Sequence, residues 1–149
     1  MMATADVLGF HPVAAGAMSA LSLIIEIERG LPLAALDRVA ESVAPGDGSF
    51  AFRLVPRATL ARRRRRDVGD PGKTESRLTS EEGARVARLA GIWATALDVW
   101  GTPDAARDFL FRPHAMLDGR RPIDVVLASE FGGPLVDGIL GRLRYGSAA

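Results

Sequence analysis

His11 and His114 are the only histidines, they stand far apart in the chain, and no cysteine accompanies them. A zinc-type centre needs more ligands than these, or at least a pair on one helix face, so both read as ordinary surface or half-buried side chains. No serine has a convincing base beside it, and no G-x-S-x-G elbow is present. Gly69-Asp70-Pro71-Gly72-Lys73-Thr74 ends like a phosphate-binding loop, but the first glycine of that signature falls on Asp67. The hydrophobic strand that should precede such a loop is replaced by consecutive arginines, Arg62 to Arg66. Asp118 and Asp124 lie near arginines, where structural pairing is their natural role, and Trp93 and Trp100 are spaced as a core stripe. The residue types point away from an enzyme, a metal site and a bound cofactor, and toward a protein that works by binding.

Two groups of residues remain that suit binding. From Arg53 to Arg66 the chain carries seven arginines and no acid, although its net charge is only +1. One reading is a solvated, self-repelling helix end. The other is a DNA-facing helix on which Arg57, Thr59 and Arg62 lie near the base edges, while Arg63, Arg64, Arg65 and Arg66 neutralise phosphates. Arginine density of this kind supplies affinity and not sequence specificity. The second group closes the chain, where Leu140-Gly141-Arg142-Leu143-Arg144-Tyr145-Gly146 runs into Ser147, Ala148 and Ala149. Either Tyr145 closes the core ahead of a frayed tail, or the arginines and Tyr145 anchor a partner.

The elements that position these groups read as helices. Residues 1–12 show no periodicity and are expected to be loose, with the leading segment extending to residue 18. Ser19 to Arg29 has helical spacing, with a strand left open by its isoleucines. The apolar run from Val13 to Ile27 lacks a basic leader and is too short to span a bilayer, so it is expected to be a core element of a soluble protein. Pro32 stands in the first turn of a helix to about Val43, striped by Leu33, Leu36, Val39, Ala40 and Val43. Ser49 caps a short helix carrying Phe50, Phe52 and Leu54, and Pro56 to Arg66 forms the next. That pair has the outline of a helix-turn-helix. Asp67 to Arg77 is a polar loop or lobe boundary. Thr79 and Glu82 form a capping box ahead of a long helix with Val86, Leu89, Ala90, Trp93, Leu97 and Trp100 on one face. Gly101 ends it, and Thr102-Pro103-Asp104 starts another. Pro122 opens a short helix, Gly132-Gly133-Pro134 resets the chain, and Leu135 to Leu143 forms the last. The fold class is all-α. A chain of 149 residues that is 48% hydrophobic suits one domain or two small lobes sharing a core.

The most specific pattern is Phe109-Leu110-Phe111-Arg112-Pro113-His114, then Leu117-Asp118-Gly119-Arg120-Arg121-Pro122-Ile123-Asp124, then Leu140 to Gly146. It resembles the toxin-binding domain of the Xre/MbcA/ParS antitoxins, the partners of RES-domain toxins. Gly30 to Leu36, Thr59 to Arg63 and Leu78 to Glu82 extend the resemblance over roughly residues 19 to 149. In the turn before the basic helix, Val55-Pro56 stands where family members carry a glycine. The resemblance implies an Xre-like region over 19–77 and a toxin-binding domain over 78–149. It implies an antitoxin that needs no cofactor and blocks a toxin acting on NAD, by degrading it or transferring its ADP-ribose. The C-terminal end, Arg142, Arg144, Tyr145, Gly146, Ser147, Ala148 and Ala149, would reach the toxin's active site. Arg120 and Arg121 would touch the toxin or brace their loop through Asp118 and Asp124. A homodimer within a hetero-oligomeric toxin–antitoxin complex is implied too, in the cytoplasm and away from membranes. An autorepressor that binds operator DNA is the alternative.

Overall fold

The computed structural model describes residues 3–10, 19–70, 72 and 75–146. Among them are eight α-helices and two short 3₁₀ turns, with no strand beyond two isolated bridges. The fold is all-α.

The longest helix, α5 (Ser80–Trp100), is the spine. Its start is fixed by the capping box: the Glu82 amide donates to Thr79 Oγ1 at 3.1 Å, and the Thr79 amide donates to Glu82 Oε1 at 2.8 Å. Gly101 ends it in the left-handed region at φ 84°. Between these stops Val86, Leu89, Ala90 and Trp93 are buried, as their spacing predicts. Trp100 departs from that stripe. It is 41% exposed, with its ring tilted against Phe109 at 5.7 Å.

Before α5 lie α1 (Thr4–Val7), α2 (Ala20–Arg29), α3 (Leu33–Val43) and α4 (Arg57–Gly69). The loose start expected for the chain differs from what is observed. Residues 3–10 include α1, and Ala5, Val7 and Leu8 are buried against α3 and α5. The segment from Ser19 settles as a helix because the Ser19 hydroxyl accepts the Ser22 amide at 3.1 Å, a regular N-cap. It is not a core element. No residue of α2 is buried, Leu21 and Ile24 are 66% and 50% exposed, and only Leu23 and Ile27 pack inward. His11 and the residues to 18 lie outside the described part.

In α3 the predicted stripe of Leu33, Leu36, Val39 and Val43 is buried, while Pro32 sits one step outside as the extended N-cap. Ser49 does not cap the next element with its side chain. Its amide and hydroxyl both donate to Asp47 Oδ1, at 2.9 and 2.6 Å, which closes the preceding turn and holds the Asp47 carboxyl below its usual range. The next element is a single 3₁₀ turn, Phe50–Arg53, and not an α-helix. Of the expected helix pair only α4 forms as an α-helix, and it runs on to Gly69, into the stretch expected to be a loop. Asp67 Oδ1 then accepts the amide and hydroxyl of Ser76, at 2.9 and 2.8 Å.

After α5 come α6 (Pro103–Phe111), α7 (Pro122–Ala128) and α8 (Gly132–Arg144). Thr102 caps α6 by accepting the Ala105 amide at 3.2 Å, and Pro103 is its first residue. A closed loop joins α6 to α7: the His114 amide donates to the Arg120 carbonyl, and Asp118 and Gly119 turn with φ 54° and 80°. The last helix begins at Gly132 itself. There a Cβ would sit 1.8 Å from the Val125 carbonyl oxygen, so only glycine lets α7 and α8 meet.

One apolar cluster joins α3, the 3₁₀ turn and α4 to α5–α8, through Val39, Phe50, Leu60, Leu89, Leu110 and Leu140. The expected boundary at 77/78 is therefore crossed by a continuous core. Burial of each such side chain contributes about 1.5–3 kcal/mol. No polar or charged residue is fully buried among those described.

Candidate functional site

The C-terminal end of α8 is a rigid stalk because Val136, Ile139 and Leu140 are buried against α5 and α7. That geometry carries Arg142, Arg144 and Tyr145 to one end of the molecule. Arg144 Nη2 pairs with Asp98 Oδ2 at 2.6 Å, tying the helix end to the last turn of α5. Its guanidinium lies 5.7 Å from the Tyr145 ring. Tyr145 is 78% exposed, so it does not close the core. Arg142 has no carboxylate partner among the described residues; its Nη1 rests 3.9 Å from the Met116 sulfur, in the loop after α6. Gly146 turns the chain away with φ 67°. Ser147, Ala148 and Ala149 lie outside the described residues.

Beside this end a cavity of about 370 Å³ is lined by Trp100, Phe109, Pro113, His114 and Leu143, together with Asp108 and Arg112. Trp100 and Phe109 are tilted against each other at 5.7 Å, and His114 meets Phe109 edge-on at 5.8 Å. The His114 Nδ1 accepts the Met116 amide at 3.1 Å, which gives the imidazole a structural task. An aromatic hollow next to exposed Met116 and Arg142 suits a protein side chain better than a reaction. Among the described residues no group of histidine, cysteine and carboxylates could hold a metal ion.

The structure separates Arg120 from Arg121. Arg120 is exposed, and its side chain has no partner among the described residues. Arg121 is engaged twice over, with Nε and Nη2 donating to Asp124 at 2.7 and 2.9 Å and its guanidinium over Phe111 at 5.7 Å. Arg53 donates to the same carboxylate at 2.9 Å. The Arg121 bonds hold the Asp124 carboxyl below its ordinary range, against the opposing effect of burial and with help from Arg53; the Arg121 guanidinium is raised in turn. Arg121 is thus a brace through Asp124, whereas the Asp118 side chain braces nothing among the described residues. Sequence reasoning misses Arg53 as the third member, because no local spacing links it to Asp124.

The basic helix divides in the same way. Arg63 Nη1 reaches Glu82 Oε1 at 2.7 Å with both side chains mostly buried, Arg64 pairs with Asp37 at 2.6 Å, and Arg57 lies 4.5 Å over the Phe52 ring. Burial raises the Glu82 carboxyl, but the bonds from Arg63 and Thr79 outweigh it and leave the group below its ordinary range. Thr59 is half-buried, and its side chain makes no hydrogen bond among the described residues. Arg62, Arg65 and Arg66 are exposed and unpartnered among the described residues, and their spacing puts them on one face of α4.

A helical body that ends in a braced stalk with an exposed aromatic and an uncommitted arginine defines a protein-binding module. Residues 95–146 match the model of the antitoxin Xre/MbcA/ParS C-terminal toxin-binding domain. The match spans the stretch from the end of α5 through Gly146, and it supports a toxin-binding domain of that type there. No curated protein matches the chain. Among the described residues no helix is long and apolar enough to cross a membrane.

Proposed function

We propose that this chain neutralises a RES-domain toxin that degrades NAD or transfers its ADP-ribose, by laying its C-terminal end across the toxin's active site. The observation that carries this reading is the position of Arg142 and exposed Tyr145, at the tip of a stalk inside the matched toxin-binding segment. Arg142, Arg144 and Tyr145, with Gly146 and residues 147–149, make the blocking end; Arg120 is an additional contact, and Arg121 positions the loop. The antitoxin is not itself a catalyst and uses no cofactor. It works in the cytoplasm as a homodimer within a larger complex with its toxin. Co-purification with the product of the neighbouring gene, followed by an NAD-consumption assay, tests this. Truncation before Arg142 restores toxin activity while the shortened chain stays folded. Full inhibition by the truncated chain would sink the assignment of the blocking end.

The second reading is a DNA-binding autorepressor with an Xre-like N-terminal region over residues 19–77. It is favoured by one observation, the row of Arg62, Arg65 and Arg66 left without partners on α4. Replacing these three by glutamine should weaken retention of the chain's own promoter fragment and flatten the salt dependence by about three in log–log slope. An unchanged slope removes α4 as the DNA contact. Three of the other residues proposed for DNA, Arg57, Arg63 and Arg64, are held within the fold and would have to give up those contacts. Thr59, in the first turn of α4, has no such tie to break.

A further inference from the structure

The outward face of α8 carries, ahead of the blocking end, two exposed apolar side chains that the blocking end does not use, Phe131 and Leu135. Phe131, Leu135, Gly138, Arg142 and Tyr145 succeed one another at steps of four, three, four and three residues, which is one stripe along a helix. Phe131 is 79% exposed and Leu135 is 52% exposed. A single exposed apolar side chain needs no explanation, but two successive ones on a stripe that ends in exposed Tyr145 make an uncovered apolar face.

Gly138 adds an independent observation. A Cβ built there meets nothing within 4 Å, so this fold has no use for glycine at that point. Glycine inside a helix is destabilising relative to alanine. Gly132 and Gly133 contrast with it, since a Cβ on either would collide with Val125 or Arg88, whereas Gly141 stands in open space as well. A glycine kept at a cost on an open helix face fits a surface that another backbone approaches closely. The stripe's one charge, Arg142, lies toward its C-terminal half.

We propose that this face of α8, anchored by Phe131 and Leu135, lies in an apolar groove of the toxin whose far end presents carboxylates or carbonyls to Arg142. The occupant is the toxin because α8 falls wholly within residues 95–146, the toxin-binding segment, and the stripe is continuous with the blocking end. Helix-in-groove recognition uses anchors at this spacing. The proposal rests on the antitoxin reading and adds to it a second, separable contact.

The test uses the full chain and the purified toxin that co-purifies with it, with binding followed by titration calorimetry. Phe131→Ser with Leu135→Ser should weaken binding by roughly thirtyfold, the scale of two buried anchors, with the melting temperature unchanged. Gly138→Gln provides a check that does not depend on removing apolar surface: it should keep or raise the melting temperature and still weaken binding at least about tenfold. Wild-type affinity in both variants overturns the proposal and leaves the antitoxin reading standing. A wild-type chain with which no toxin co-purifies overturns that reading, and the proposal with it. A free chain that changes from dimer to monomer on the serine substitutions, with toxin affinity retained, overturns the proposal by assigning the face to a second copy.

Discussion

Gly132→Ala should destabilise the protein by about 3 kcal/mol or more, at the upper end of the overpacking range. The new Cβ would stand 1.8 Å from the Val125 carbonyl oxygen and 2.6 Å from its carbon, and neither is a flexible side-chain end that can swing away. Relief requires moving the start of α8 off the end of α7, which pulls Val136, Ile139 and Leu140 from their packing. Urea unfolding should show a lower midpoint, and toxin affinity should fall as well because the stalk is displaced. Gly138→Ala is the matched control, since it adds the same methyl in open space and should be neutral or stabilising. Equal stability of the two alanine variants would mean that the α7–α8 junction is not tightly packed.

That junction also marks how far the sequence can be read. The Gly-Gly-Pro run announces a break, but placing the helix start at Gly132 depends on a carbonyl from another helix, which no local pattern contains. The capping box at Thr79 and Glu82, the cap at Thr102 and the left-handed stop at Gly101 are legible because each is written within a few residues. So is the stripe of α3. Ser49 misleads because its nearest acceptor lies behind it, at Asp47, so its side chain serves the preceding turn. The apolar run of α2 misleads for another reason: hydrophobicity forecasts a helix face without saying whether anything will cover it. At the binding end, Arg142, Arg144 and Tyr145 are visible as residue types. Trp100, Met116, Phe131 and Leu135 are not, since exposure is a property of the packed molecule. The heptad-like spacing from Phe131 to Tyr145 is the available signal.

Phe50→Ala should cost about 3–5 kcal/mol, the usual range for emptying a buried phenylalanine site. Phe50 is 2% exposed, and its ring meets Phe111 edge-on with centroids 6.3 Å apart. The pair joins the 3₁₀ turn to the end of α6, beside the bridge from Arg53 to Asp124 at 2.9 Å. Its loss therefore acts on both halves of the chain at once. Thermal melting should drop by roughly 10 °C for a protein of this size. Circular dichroism of all helices and fluorescence of Trp93 and Trp100 should report the same midpoint. Two separate transitions would show that residues before and after 78 melt as independent units.

A shared interior also governs how the protein leaves a cell. Where one cluster holds the basic helix, the spine and the stalk, extensive opening of one part removes the packing of the next, so global unfolding is the opening that most exposes the chain to proteolysis. If the chain melts as one unit, limited proteolysis should leave no trimmed remnant that still grips a toxin. The stalk of α8 and the arginine row of α4 would then share one lifetime, with turnover withdrawing both surfaces in a single event.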